Sequence, residues 1–163
     1  MSAVRRIYAD TNIYIMMFEG DDDRQLRLAN TLLPRSFDGF KLVASLLTFG
    51  ELIVGPLKTQ NKQLLASYEA LFDEITILDV MPVDRSVLRD AARLRARYHA
   101  LKLPDAIHIA TAFRAGCSHL VSDETRFPPS FELDMAASGT SATIATLRPN
   151  AEGLDVLEQL LAS

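Results

Sequence analysis

The chain has 163 residues, 48% of them hydrophobic and 23% charged, with a formal net charge of −4. That length suits one domain with a sizeable core, and the ordinary apolar share excludes a disordered chain. No apolar run is long enough to span a bilayer, and the single cysteine, Cys117, excludes an internal disulfide and a thiolate zinc cluster.

The N-terminus lacks the basic region, apolar stretch and small-residue cleavage site of a secretory signal, so a cytoplasmic protein is the expectation. The acidic balance weighs against a nucleic-acid partner, since phosphate contacts need a basic surface. Divalent cations held by a carboxylate cluster would neutralise much of that charge locally.

Ile7-Tyr8-Ala9 reads as a short buried strand, and Asp10 or Thr11 starts a helix carrying Ile13, Met16 and Met17. Asp21 to Asp23 form a loop before a second helix through Leu26, Leu28, Ala29, Leu32 and Leu33, ended by Pro34. Leu42-Val43-Ala44 is the next strand. Ser45 caps a helix that carries Glu51 and is expected to stop at Gly55-Pro56. Lys62 to Asp73 is helical, and Ile75-Thr76-Ile77-Leu78 is a β-branched strand.

Asp84 precedes a long amphipathic helix with Val87, Ala91, Leu94 and Tyr98 on one face. Arg85, Arg89, Arg93 and Arg97 repeat every four residues on the other face. Pro104 suits the first turn of a helix through Ile107, Ala110, Thr111 and Phe113 to a glycine stop at Gly116. His119 to Ser122 is a strand ending at Asp123. Ala136 to Thr143, rich in small and polar residues, reads as the flexible segment. A last strand over Ala142–Leu147 and a terminal helix over Leu154–Leu161 follow. The alternation predicts one three-layer α/β domain, with a mostly parallel central sheet flanked by helices. Residues 1–150 form its body, and a C-terminal helix within 151–163 packs on it.

Four acids stand at equivalent places in that scheme: Asp10, Glu51, Asp105 and Asp123. Asp10 and Asp123 each follow a strand, at the sheet edge where open parallel sheets bind ligands. Glu51 and Asp105 lie in the first two turns of helices, whose positive ends favour anions. Any one alone reads as a cap, a turn former or a surface charge. Four brought together would repel, and a hard divalent cation is the economical remedy.

The segments Ile7 to Asn12, Ala44 to Leu52, Leu103 to Ala112, and Leu120 to Asp123 on to Phe127 resemble the motifs of PIN domains, with the VapC-type toxins of bacterial toxin–antitoxin pairs as the nearest match. The resemblance covers about residues 4 to 127, in order and spacing. It implies a Mg²⁺- or Mn²⁺-dependent endoribonuclease whose metal is held by Asp10, Glu51, Asp105 and Asp123. Thr11 or Asn12 then supports the site, as does Ser122 by hydrogen bonding. Glu51 or Asp105 would orient or deprotonate the attacking water. It further implies homodimerisation and a small antitoxin that covers the acidic pocket. This chain departs from the pattern in its fourth motif, which has Val121-Ser122 where a threonine–asparagine pair is usual before the acid.

Other residues carry bland readings beside the functional ones. His108, one turn beyond Asp105, reads as a packed histidine rather than a ligand. Glu124 reads as a solvated neighbour of Asp123. Arg85, Arg89, Arg93 and Arg126 are candidate RNA-backbone contacts, and Arg114 is a further candidate for a phosphate near the metal. The arginine stripe reads equally well as a solvated helix face. Two alternatives stay open: a degenerate PIN-like module that binds RNA or protein without cleaving, and a Mg²⁺-dependent phosphohydrolase for small substrates. The second lacks a phosphate-cradling glycine loop.

Overall fold

The computed structural model describes residues 4–33, 39–73, 78–135 and 139–162. The first strand, β1 (Arg5–Ala9), leads into α1 (Thr11–Glu19) and α2 (Asp23–Leu32). Then come β2 (Phe40–Ser45), α3 (Leu46–Thr59), α4 (Lys62–Asp73), β3 (Leu78–Met81), α5 (Arg85–Arg97) and α6 (Leu103–Arg114). The chain continues through β4 (His119–Val121), β5 (Ser130–Met135), β6 (Thr140–Leu147) and α7 (Ala151–Ala162). The strands form one sheet in the order β3-β2-β1-β4-β6-β5, parallel throughout except for the antiparallel β5–β6 pair.

Helices cover both faces, as a largely parallel sheet requires. Tyr8, Val43 and Leu120 meet Leu94, Ile109 and Phe113 of α5 and α6 on one side. Ile7, Leu42 and Val121 meet Ile13, Leu28, Leu52 and Tyr68 of α1, α2, α3 and α4 on the other, with Leu154 and Leu157 of α7. Strand β1 therefore places alternate residues in opposite cores, the period of two that a fully covered strand shows. Helix α7 is seated against α2 by Arg27, which donates to Asp155 at 2.7 Å and to Glu158 at 3.0 Å.

Several expectations need correction. Helix α3 does not stop at Gly55-Pro56 but runs to Thr59 with Pro56 inside it. A proline costs one helical hydrogen bond, and here the ring is buried, so packing outweighs the loss. Gln60, with φ 56°, sets the actual end. The strand over Ile75–Leu78 falls for Ile75, Thr76 and Ile77 outside the described residues, as does the Pro34 stop. The described strand is Leu78–Met81, paired with β2. Ala136 to Ser138 also lie outside, but Thr140 to Thr143 are not loop: they begin β6, whose partner β5 went unforeseen. The signal for β5 was present in Ser130 to Met135, where buried Phe131 and Leu133 alternate with exposed neighbours. In α2, Leu26 is exposed, and Leu28 and Leu32 make the core contacts.

Candidate functional site

The carboxyl ends of β1 and β4 lie side by side, and β1 departs toward β2 while β4 departs toward β6. This is the crevice of an open α/β sheet, where the strand order reverses. A cleft here is lined by Asp10, Thr11, Asn12, Ile15, Glu51, Asp105, His108 and Glu124. Three of the four expected acids therefore converge on it: Asp10 from the end of β1, Glu51 from the second turn of α3, and Asp105 from the first turn of α6.

The fourth does not. Strand pairing explains why: Ala9 pairs with Val121, and Asp10 N–H donates to the Val121 carbonyl at 2.9 Å. Ser122, not Asp123, thus occupies the position opposite Asp10. Ser122 is fully buried there, and Asp123, one residue further past the end of β4, is exposed. Asp123 engages the site only through its backbone, whose N–H donates to Asn12 Oδ1 at 3.2 Å. Glu124, the supposed solvated neighbour, lines the cleft instead. Pairing Tyr8-Ala9-Asp10 with Leu120-Val121-Ser122 by strand ends would have set Ser122 opposite Asp10.

Asp10 is held firmly and is only 7% exposed. It caps α1, with Oδ1 accepting from Thr11 N–H at 2.7 Å and Oδ2 accepting from the Ser122 hydroxyl at 2.7 Å. Glu51 Oε2 accepts from the Thr11 hydroxyl and lies 2.8 Å from His108 Nε2. Burial pushes the Glu51 carboxyl up, but these hydrogen bonds and the histidine's charge hold it below the ordinary value, so it stays ionised.

His108 is buried, as a packed histidine should be, yet it also lines the cleft. Its Nδ1 lies 2.6 Å from the hydroxyl of buried Tyr8, which in turn approaches Thr48 Oγ1 at 3.5 Å. Burial pushes the imidazole down, while the Glu51 hydrogen bond and the charges of Asp10, Glu51 and Asp105 carry it above the ordinary value. When protonated, the ring donates from Nε2 to Glu51 and from Nδ1 to the Tyr8 oxygen; when neutral, it carries one N–H, and with that proton on Nε2 the Tyr8 hydroxyl donates to Nδ1. Tyr8 and Thr48 escaped the sequence reading because a buried tyrosine and a capping threonine have ordinary structural roles.

Asp105 differs from its neighbours. Its Oδ2 is buried with no hydrogen-bond partner. Burial first, then the charges of Asp10 and Glu124, raise its carboxyl above the usual range. Glu124 is the opposite case. Arg126 donates from Nε to Oε1 at 2.9 Å and from Nη2 to Oε2 at 2.7 Å, and holds the carboxyl down at about 2.

The donor set suits a hard cation: all oxygens, clustered negative charge, and one buried carboxylate oxygen that nothing satisfies. Among the described residues no group of three or more His, Cys, Asp or Glu side chains is already spaced as a metal site. Mg²⁺ keeps several waters and takes one or two direct carboxylates, and Asp10 and Asp105 both line the cleft.

The candidate cations divide differently. Arg93 pairs with buried Asp90 at 3.2 Å and Arg97 pairs with Glu132, while Arg114 clamps α6 to α5 through Asp90 at 2.8 Å. Arg85 and Arg89 are exposed on α5 and do not line the cleft. Arg126 alone of these is beside the carboxylates.

A PIN domain family model matches residues 7–128. Similar solved structures include VapBC2 from Rickettsia felis bound to a DNA fragment from its promoter, with a TM-score of 0.59, 17% identity, and coverage of 75% of this chain and 90% of that one. A toxin–antitoxin complex from Klebsiella pneumoniae has a TM-score of 0.59 and 24% identity over 88% of this chain and 98% of the other. VapC20 from Mycobacterium tuberculosis, described as a sarcin-ricin loop cleaving toxin, has a TM-score of 0.57 and 16% identity over 70% and 86%. At these identities the likeness establishes the fold. A search of the curated proteins finds no match.

Proposed function

The chain belongs to the PIN domain family, and from that premise we propose that it is a Mg²⁺- or Mn²⁺-dependent endoribonuclease, the toxin of a type II toxin–antitoxin pair. The observation that carries this reading is the convergence of Asp10, Glu51, Asp105 and Glu124 on one cleft, with Asp105 Oδ2 buried and unsatisfied. Asp10 and Asp105 would hold the cation, and Glu124 is within the same cleft to join them. When bound, such an ion lowers the pKa of a water and offsets charge on a phosphate.

The protein's own groups do the rest. Ser122 and the Thr11 N–H fix the two oxygens of Asp10, so the carboxylate meets its ligand without reorganising. Thr11 and His108 keep Glu51 ionised, as a base must be to accept a proton from an attacking water. Tyr8 orients the His108 ring through Nδ1. Arg126 supplies positive charge at the rim for an RNA phosphate.

The partner assignments rest on likeness. The Klebsiella structure is a toxin–antitoxin complex and the Mycobacterium one a sarcin-ricin loop cleaving toxin, which supports a cognate antitoxin and an RNA substrate for this chain; a homodimer is proposed from the family resemblance alone. Among the described residues no helix is long and apolar enough to cross a membrane, and a cytoplasmic location fits an RNA target.

A second reading, a PIN-like module that binds RNA without cutting it, is favoured by one observation: Glu51 and Glu124 are both engaged by side chains of the same chain, His108 and Arg126. One experiment separates the two. Partner-free protein should cleave a broad RNA panel with Mg²⁺ or Mn²⁺. Asp10→Asn, which preserves the helix cap, should reduce the rate by at least about 100-fold. Glu124→Gln should reduce it by about tenfold or more, and Asp123→Asn should leave it near wild type. RNA binding without metal-dependent cleavage would establish the second reading.

A further inference from the structure

The carboxylates of the cleft are not equally available. Asp10 is fixed by neutral donors and Asp105 has an unsatisfied oxygen, but both oxygens of Glu124 are engaged by one residue. Arg126 gives it three hydrogen bonds: its own backbone N–H to Oε1 at 3.0 Å, Nε to Oε1 at 2.9 Å, and Nη2 to Oε2 at 2.7 Å. A guanidinium fork matches both oxygens of a carboxylate, and with the backbone N–H it takes three of the roughly four acceptor sites, so a second cation must compete for them. It also brings a unit positive charge to a cleft that otherwise attracts metal ions.

The backbone beneath this pair is anchored. Glu124 N–H donates to the buried Ser122 hydroxyl at 3.1 Å, and Arg148 of the β6–α7 connection donates to the Thr125 carbonyl at 2.6 Å. Phe127 N–H closes the turn onto the Glu124 carbonyl at 3.2 Å, with the Phe127 ring buried. Both side chains, by contrast, retain solvent access: 23% for Glu124 and 51% for Arg126. Exchange of partners therefore needs only side-chain rotation.

We infer that Arg126 is a latch on Glu124, a built-in cation that competes with the divalent ion for this carboxylate and lowers the metal affinity of the free protein. The inference rests on the cleft being a metal site. Because the ion pair is part-exposed, its hold is modest, and releasing it should tighten metal binding about two- to fivefold. Arg126 is thus a positioning residue for Glu124, acting on the metal through it.

The test is a Mn²⁺ titration of the full chain without RNA, read by calorimetry or by the electron paramagnetic resonance of free Mn²⁺. Arg126→Ala should bind Mn²⁺ about two- to fivefold more tightly than wild type. Arg126→Lys, which keeps the charge but loses the fork, should also bind more tightly than wild type. In a Glu124→Gln background, adding Arg126→Ala should give no gain. The latch is overturned if Arg126→Lys matches wild type while Arg126→Ala is tighter, or if the gain persists without Glu124, since either outcome is a general charge effect. Unchanged or weaker binding by Arg126→Ala overturns it as well. Wild type that takes up no Mn²⁺ refutes the metal site itself, a failure distinct from loss of the latch alone.

Discussion

Asp105→Asn should stabilise the metal-free protein, against the usual direction for a substitution near a core. Asp105 Oδ2 is buried and unpartnered, and the charges of Asp10 and Glu124 oppose its ionisation. Asparagine keeps a polar atom there but removes the charge that burial and the two neighbouring acids oppose, and the partial exposure of this carboxyl group limits the gain to about 1 kcal/mol. In a domain of this size that is a rise in Tm of about 2–4 °C. The pH dependence has a definite sign. A carboxyl whose folded pKa lies above the unfolded value of about 3.9 contributes stability below that value, and loses it as pH rises through the folded pKa. The advantage of asparagine should therefore be present at neutral pH and vanish in acid. Urea unfolding of both proteins in chelator, at pH 7 and below pH 4, measures it. Adding Mg²⁺ should reverse the order, because an ion bound only to the native state stabilises by about 2.7 kcal/mol at a hundredfold excess over Kd, and the variant gains less. An Asp105→Asn protein that is less stable in chelator, and equally stabilised by Mg²⁺, would refute the reading of this oxygen as a site awaiting a cation.

Two further substitutions probe the supports of the site. Ser122→Ala removes a buried donor to Asp10 and the acceptor for Glu124 N–H; hydrogen bonds to charged groups contribute about 1.5–3 kcal/mol, so chemical denaturation should show a loss of that order together with slower RNA cleavage. Gly153→Ala would set a Cβ 1.9 Å from the Arg148 carbonyl oxygen, and the shift this forces on α7 should cost about 1–3 kcal/mol in urea unfolding. A neutral result there would mean that α7 is not seated on the β6 connection as described.

Much of the fold was legible because it rests on local periodicity. Ser45 caps α3 as expected, and Asp10 and Asp84, read as a possible start and as the residue before a helix, are the caps of α1 and α5, since a cap needs only its own side chain and the next turn. The Pro56 misjudgement shows the limit of that logic: propensity marked a stop, but burial of the ring against its neighbours carried α3 one turn further. Strand β5 was overlooked although its alternation is clear, because a short strand is stable only through its partner, and β6 was itself read partly as loop.

The sequence by itself determined which carboxylates could be functional, because Asp10, Glu51 and Asp105 each sit at a fixed offset from a strand end or helix start. Only the tertiary structure shows which acid near the end of β4 lines the cleft. The pairing of Ala9 with Val121 is a non-local register, and it sets which residue past the end of β4 stands opposite Asp10. That register buries Ser122 against Asp10, leaves Asp123 in solvent and brings Glu124 to the cleft. The company each acid keeps was equally beyond sequence: His108 with Glu51, Arg126 with Glu124, and nothing at Asp105 Oδ2. Charge and solvation act through space, so the ionisation of these groups depends on neighbours that the chain order does not reveal.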